Sequence, residues 1–274
     1  MSVDTIAARL RDCPPIQVVY TDLDGTLLGP GGSLLTGPDG SPSAAAAAAL
    51  ADAAAAGVIV VPVSGRQAYQ LRNDARIMGL TNCIAEAGSV IIRDGTEHLE
   101  WGKAPTDIAA TPHDALIDSG AYQLVIDTFG GELRWYHPWA DGRRGGILMH
   151  GHADVDVANE HLAEAGLDWA YLLDNGATGG WDGRTVRAYH LMPRGVGKAT
   201  AVADDLAARG LDPSAAVAVG DSLEDARMAS AAGTYVQVAN GHAEGALTTP
   251  SANGAGFAEL IEAVLAARED ASPG

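Results

Sequence analysis

Apolar residues along the chain gather into short runs separated by polar, glycine-marked turns. Ile16 to Tyr20, Val58 to Val63, Cys83 to Ala85, Ala216 to Val219 and Tyr235 to Val238 are such runs. Short β-branched runs of this kind suit strands buried on both faces. Helix-compatible segments lie between them: 43–56, with Ser43 placed to cap it and Gly57 to close it, then 66–78, 198–209, 223–232 and 256–267. Residues 1–15 read as an amphipathic lead-in that Pro14-Pro15 ends. Strand, helix, strand, helix, strand predicts a parallel, doubly wound sheet with crossover helices.

After Gly88 the pattern changes. Residues 89–93 and 98–101 read as strands around Asp94-Gly95, and a helical piece lies near 106–119. Residues 122–129 alternate into Gly130-Gly131 and predict a strand, with 132–136 as its hairpin partner. Residues 137–151 read as loop ending in the apolar patch Ile147-Leu148-Met149, and 153–165 as helix. Strands at 170–173 and 186–191 flank a glycine-rich turn, 175–183. Strands joined by short turns predict an antiparallel α+β module. The parallel sheet, 1–87 and 191–274, is thus interrupted by an insert, 88–190.

Composition narrows the partners. The 274 residues are 47% hydrophobic and carry a net charge of −18. That balance argues against nucleic acid and anionic membranes, which need basic footprints. An anionic substrate would need local cations. Two cysteines, Cys13 and Cys83, make no disulfide framework and fit a reducing compartment. The N-terminus lacks the apolar core of a signal peptide, and no run is long enough to span a membrane. A cytoplasmic protein is expected. Oligomeric state is not legible.

Polar residues sit where the runs end. Asp22 and Asp24 follow the first strand, and parallel sheets place ligands beyond the carboxyl ends of strands. Two carboxylates that close repel unless a cation or a shared proton holds them, and carboxylate oxygen favours a hard divalent cation. Ser64-Gly65-Arg66 ends the second strand and opens the next predicted helix, where a hydroxyl and free amides can take an anion. Lys198 opens a helix, and Asp221 ends a strand with Asp225 one turn on. Carboxylates for a cation, with a hydroxyl and an ammonium for a phosphate, are what phosphoryl transfer requires.

With these motifs in this order, the chain resembles the haloacid dehalogenase superfamily of phosphatases with a large α/β (type C2) cap. The motifs are Asp22-Leu23-Asp24-Gly25-Thr26, Ser64-Gly65-Arg66, Lys198, and Gly220-Asp221-Ser222-Leu223-Glu224-Asp225, with the tail Thr249 to Gly256 also similar. The resemblance is to the branch of sugar, mannosyl-3-phosphoglycerate and sucrose phosphatases. It implies an α/β fold, a Rossmann-like doubly wound core with an inserted α+β cap domain. It implies Asp22 as nucleophile, Asp24 as proton carrier, and Mg²⁺ held by Asp22, the Asp24 backbone carbonyl, Asp221 and Asp225. Thr26, Ser64, Gly65, Arg66 and Lys198 would bind phosphate, and the substrate would be a small phosphorylated carbohydrate or polyol. A phosphomutase of the same superfamily or a non-catalytic phospho-ligand-binding protein are the alternatives. Relatives often carry Asn where Glu224 stands.

Single residues also have plainer readings. Lys198 alone would pass for a surface lysine. Gly195-Val196-Gly197-Lys198 is no P-loop, since Ala199 replaces the required Ser or Thr. His150 and His152 could share a metal but lack a clear third ligand. Arg134, His137, Arg143 and Arg144 form either a solvated face or a patch that reads a second anionic group. Glu86 is a substrate contact or a turn carboxylate. Trp135 and Trp139 read as core of the insert rather than sugar-stacking surfaces.

Overall fold

A computed structural model gives the fold and describes residues 1–181 and 183–270. Residue 182, in the glycine-rich turn, and 271–274, the end of the last expected segment, lie outside the described residues. Helix α1 (Val3–Arg11) leads into β1 (Val18–Asp22), α2 (Ala45–Ala55), β2 (Ile59–Val63), α3 (Ala68–Ile77) and β3 (Cys83–Ala85). The hairpin of β4 (Val90–Arg93) and β5 (Thr96–Leu99) follows. Then come α4 (Pro112–Asp118), α5 (Ala121–Phe129), β6 (Leu133–Trp135), β7 (Ile147–Gly151), α6 (Val155–Glu164), and the hairpin of β8 (Ala170–Trp181) and β9 (Arg184–Pro193). The last part holds α7 (Lys198–Arg209), β10 (Ala216–Gly220), α8 (Leu223–Ala226), β11 (Thr234–Gln237), β12 (Leu247–Thr248) and α9 (Asn253–Asp270).

The larger sheet runs β12-β11-β10-β1-β2-β3-β4-β5, parallel from β12 to β3. Strand β1 lies inside it, between β10 and β2, and all five of its residues are buried. Its alternation divides the core. Val19 packs with Leu50 of α2 and Phe257 and Leu260 of α9, whereas Val18 and Tyr20 pack with Val202 and Leu206 of α7. The Tyr20 hydroxyl donates to Asp205 on α7 at 2.8 Å, and Arg93 and Arg209 each reach the same carboxylate at 2.7 Å. Burial alone would raise the Asp205 pKa, but these hydrogen bonds outweigh it and hold the carboxyl below its usual range. This network fixes α7, and so Lys198 at its start, against β1 and β4.

The second sheet, β6-β7-β9-β8, is antiparallel. One face, with Ile147, Met149, Leu172, Tyr189 and Leu191, packs on Leu116, Val125 and Leu162 of α4, α5 and α6. The other face, with Leu148, Leu173, Ala188 and His190, looks towards the strand tips of the larger sheet.

Several elements differ from expectation. Residues 122–129 form α5, not a strand, because Ala121, Val125 and Phe129 recur every fourth residue and pack inward. Packing overrides the strand propensity of Val, Ile, Tyr and Phe. The partner of β6 is therefore β7, the expected loop. The β4–β5 hairpin pairs with β3 and extends the larger sheet. The helix after β2 begins at Ala68 with Gln67 as cap, so Ser64 sits in a turn and not at a helix start. Ala44 occupies the N-cap position of α2 without a side-chain hydrogen bond, and Ser43, one residue earlier, accepts from the Ala45 amide at 3.3 Å. The expected helix 223–232 is α8 followed by a 3-10 turn, Arg227–Ser230. Among the described residues no helix is long and apolar enough to cross a membrane.

Candidate active site

Parallel neighbours bring the polar tips together. Asp22 ends β1, Ser64 follows β2 and Asp221 follows β10. Asp22 is 7% exposed, and its Oδ1 accepts from Lys198 Nζ at 2.7 Å. The same ammonium reaches Asp225 Oδ1 at 2.6 Å. The other Asp225 oxygen caps α8, accepting from the Ser222 amide at 3.0 Å and hydroxyl at 2.6 Å. Asp221 accepts from Thr26 Oγ1 at 3.4 Å and Asn240 Nδ2 at 3.3 Å. Oxygens of Asp22, Asp221 and Asp225 lie within 4.8 Å of one another.

Three carboxylates therefore crowd one ammonium. Burial pushes the Asp22 carboxyl up to about 7 against the pull of Lys198, and Asp225 and Asp221 add to the rise. Asp221 is also raised, by burial and then by Asp225. Burial works against the Lys198 charge, yet Asp22 and Asp225 outweigh it and raise the ammonium pKa. An all-carboxylate set short of positive charge fits a hard divalent cation such as Mg²⁺.

Asp24 stands outside this group. Arg66 clamps it twice, Nε to Oδ2 at 2.9 Å and Nη2 to Oδ1 at 2.5 Å, and reaches Asp74 at 2.7 Å with Nη1. The turn between the aspartates needs its glycine. Gly25 has φ +91°, and a Cβ there would fall 2.5 Å from Asp221 Oδ2. Its carbonyl accepts from Asn240 and Asn253, each at 2.9 Å. Above these groups opens a cleft of about 740 Å³ between the two sheets. Asp22, Asp24, Ser64, Gly65, Arg66 and Lys198 line its floor. Thr26 does not, and the expectation of a phosphate contact is corrected: it is fully buried and braces Asp221.

A model of the haloacid dehalogenase-like hydrolase family matches residues 19–138 and 183–258. The chain belongs to this family. The hydrolase is 28% identical over 228 residues to phosphoglycolate phosphatase of Methanoculleus marisnigri, spanning 82% of this chain and 85% of that protein. Its fold resembles a Thermoplasma acidophilum protein with a TM-score of 0.66 at 17% identity, over 92% of this chain and 100% of the other. It also resembles the sucrose-phosphatase of Synechocystis sp. PCC6803, solved with sucrose and phosphate, with a TM-score of 0.63 at 17% identity over 91% and 98% of the two chains.

The insert of the hydrolase sorts its basic and aromatic residues. Arg144 pairs with Glu97, and His137 with Asp141 at 2.8 Å. Arg134 reaches the Gly131 carbonyl at 3.3 Å. Arg143 alone of the four lines the cleft. Trp135 packs edge-on against His113 and Tyr122, whereas Trp139 is 49% exposed at the cleft wall and not core. His150 stacks on Tyr136 at 4.3 Å, and neither it nor His152 belongs to a group of three metal-capable side chains among the described residues. Glu86 is a brace: buried, it accepts from the amides of Ala68, Arg144 and Gly145 and ties the insert to the start of α3. Glu224 lines the cleft and pairs with Arg227 at 2.8 Å.

Sequence reasoning missed Asn240, His190 and Asn175. Asn240 could have been found, because it follows β11 as Asp221 follows β10. His190 lies within the expected strand 186–191 but nothing there shows which face it takes, and Asn175 is hidden because the expected strand 170–173 ends before it.

Proposed function

We propose that the protein is a Mg²⁺-dependent phosphomonoesterase that hydrolyses a small phosphorylated metabolite through an aspartyl-phosphate on Asp22. The observation that carries the reading is Asp22 itself: buried at the tip of an inner strand, paired to Lys198, within a three-carboxylate group, and open to the cleft. The relatives named phosphoglycolate phosphatase and sucrose-phosphatase support a small phosphate ester as substrate.

In this reading Asp22, Asp221 and Asp225, with the Asp24 backbone carbonyl, hold Mg²⁺. The bound ion supplies neutralisation of the phosphoryl oxygens. Lys198, Ser64, Gly65 and Arg66 hold the remaining phosphate oxygens. A carboxylate oxygen of Asp22 bonds to phosphorus as the ester P–O bond breaks, and Asp24 gives its proton to the leaving oxygen. Asp24 then takes a proton from water, which attacks phosphorus and restores Asp22. For this Asp24 must leave its clamp, and an incoming phosphate that draws Arg66 away would release it. The smaller sheet with its helices, from α4 to β9, serves as a cap that excludes bulk water, whereas β4 and β5, within the expected insert 88–190, belong to the larger sheet. Uncatalysed phosphate-ester hydrolysis is among the slowest biological reactions, so positioning and charge must lower a very large barrier.

The test is release of phosphate from a panel of phosphorylated metabolites with Mg²⁺, by the protein and by Asp22→Asn. Activity that survives in the variant sinks the nucleophile assignment.

A further inference from the structure

Three groups of the insert converge on Gly65. On β9, Tyr189 and Leu191 enter the apolar core of the insert, whereas Ala188, His190 and Met192 face the other way. His190 is thus a polar residue in an apolar row, cross-strand from Leu148 and Leu173 and 2% exposed. Its Nε2 has no hydrogen-bond partner. Burial, with the charges of Arg143 and Lys198, pushes its pKa down to about 3, so the ring is neutral. A buried polar atom left unpaired is costly unless something arrives to meet it.

Arg143 is the second group. It is 6% exposed, and donates from Nε to the Trp139 carbonyl at 3.0 Å and from Nη2 to the Gly65 carbonyl at 2.6 Å. These neutral acceptors position the guanidinium without cancelling its charge. The other cations near the cleft are committed: Arg66 to Asp24 and Asp74, Lys198 to Asp22 and Asp225, Arg144 to Glu97. Arg143 has no carboxylate within ion-pair distance among the described residues; the charge of buried Glu86 acts on it from farther away, but both Glu86 oxygens already accept from the amides of Ala68, Arg144 and Gly145.

Asn175, on β8, is the third. A Cβ on Gly65 would stand 3.6 Å from His190 Nε2 and 3.9 Å from Asn175 Nδ2. The glycine therefore leaves a gap that polar nitrogens face, next to Ser64 and the expected phosphate.

We propose that Arg143, His190 and Asn175 form a subsite for a carboxylate carried on the leaving group, close to the phosphate ester oxygen. A guanidinium fork matches a carboxylate, and the His190 ring and Asn175 amide add donors. A sugar hydroxyl would satisfy Nε2 but leave Arg143 without a direct anionic partner, so the substrate class is a phosphorylated hydroxy acid rather than a neutral polyol phosphate. This assignment rests on the phosphomonoesterase reading above.

The test compares 2-phosphoglycolate with 2-hydroxyethyl phosphate, a neutral ester of similar size, on the full-length protein with Mg²⁺. The wild type favours the carboxylated ester in kcat/KM. Arg143→Gln lowers kcat/KM for 2-phosphoglycolate on the order of ten- to a hundred-fold, mainly through KM, and far less for the neutral ester. Arg143→Lys returns part of the loss. Asn175→Asp, at an exposed position that leaves folding intact, sets a like charge against the carboxylate and gives the same selectivity of loss. Equal losses on both esters, or no wild-type preference, overturn the subsite. If neither ester releases phosphate, the metabolite panel above decides the hydrolytic reading. Calorimetric titration with the same two esters then decides the subsite: selectively weaker binding of 2-phosphoglycolate to Asn175→Asp and Arg143→Gln supports it, and equal binding overturns it.

Discussion

The tips of the larger sheet and the cleft face of the smaller one meet the same space with opposite chemistry. The tips present Asp22, Asp221 and Asp225 around Lys198, a set rich in negative charge. The facing sheet presents Arg143 and a neutral His190 among Leu148, Leu173 and Ala188. The first arrangement suits chemistry common to any phosphate ester. The second can distinguish one ester from another. Changes at the tips should therefore fall equally on all substrates, and changes on the facing sheet selectively.

The largest expected effect is at the tips. Asp22→Asn removes the proposed nucleophile, and phosphate release should drop by roughly 10⁴-fold or more, as removal of other enzymatic nucleophiles does. The drop should be the same for carboxylated and neutral esters. A loss that depends on the leaving group would place Asp22 among the groups that read substrate and erase the contrast.

Next comes the support behind the tips. Asp205 joins Tyr20, Arg93 and Arg209 in the core. Asp205→Ala leaves two arginines without their buried partner and should cost about 3–5 kcal/mol in urea unfolding. The pH dependence has a definite sign. The folded Asp205 carboxyl titrates below its usual range, so its stabilisation is present above the unfolded value near 4 and fades as pH falls towards the folded one. Among the described residues the inner face of the smaller sheet is apolar, packed by Leu116, Val125 and Leu162.

Smaller still is the coupling of proton and metal. Asp22 titrates near 7 when folded, well above an unfolded aspartate. Between about pH 4 and 7 the folded metal-free protein holds a proton that the unfolded chain has lost, so stability declines as pH rises, at up to about 1.4 kcal/mol per unit. A divalent cation held by the proposed carboxylate group would replace that proton. Addition of Mg²⁺ should therefore raise the melting temperature more at pH 8 than at pH 5.5. Equal gains at both values would remove Asp22 from the cation's ligands.

Legibility in the sequence follows the same divide. Strand β1 and its parallel neighbours are apolar on both faces, so each shows as an unbroken run and its polar end stands out. Asp22, Asp24, Ser64 and Asp221 are readable this way, whereas Lys198, at the start of α7, stands out only beside them. What was not readable is that Arg66 clamps Asp24 and that Thr26 turns inward to Asp221, because both depend on side-chain direction within one turn. In the insert, α5 carries strand-forming residues at a spacing that also fits a helix, and packing alone decided. Glycines 176, 179 and 180 made β8 and β9 look like a turn between short strands, and so hid Asn175 within β8. Arg143 and Arg144 are adjacent and alike, yet one is buried beside the cleft and the other pairs with Glu97 outside it.

The smallest effect tests the contrast at the point where the two faces touch. Gly65 belongs to the tips by sequence, yet Arg143 binds its carbonyl and His190 and Asn175 face its missing side chain. Its backbone is outside the left-handed region, and a Cβ would meet its nearest neighbour at 3.6 Å, an ordinary contact. Gly65→Ala should therefore fold with a change of less than about 0.5 kcal/mol. Gly25→Ala, with φ +91° and a 2.5 Å clash on Asp221, should be strained and lose activity on every ester. In Gly65→Ala the added methyl fills the gap between the two faces, so KM for a carboxylated ester should rise severalfold while kcat changes little. If kcat falls instead, and equally for all esters, Gly65 serves the phosphate alone and the boundary between the two chemistries lies deeper in the insert, at Arg143.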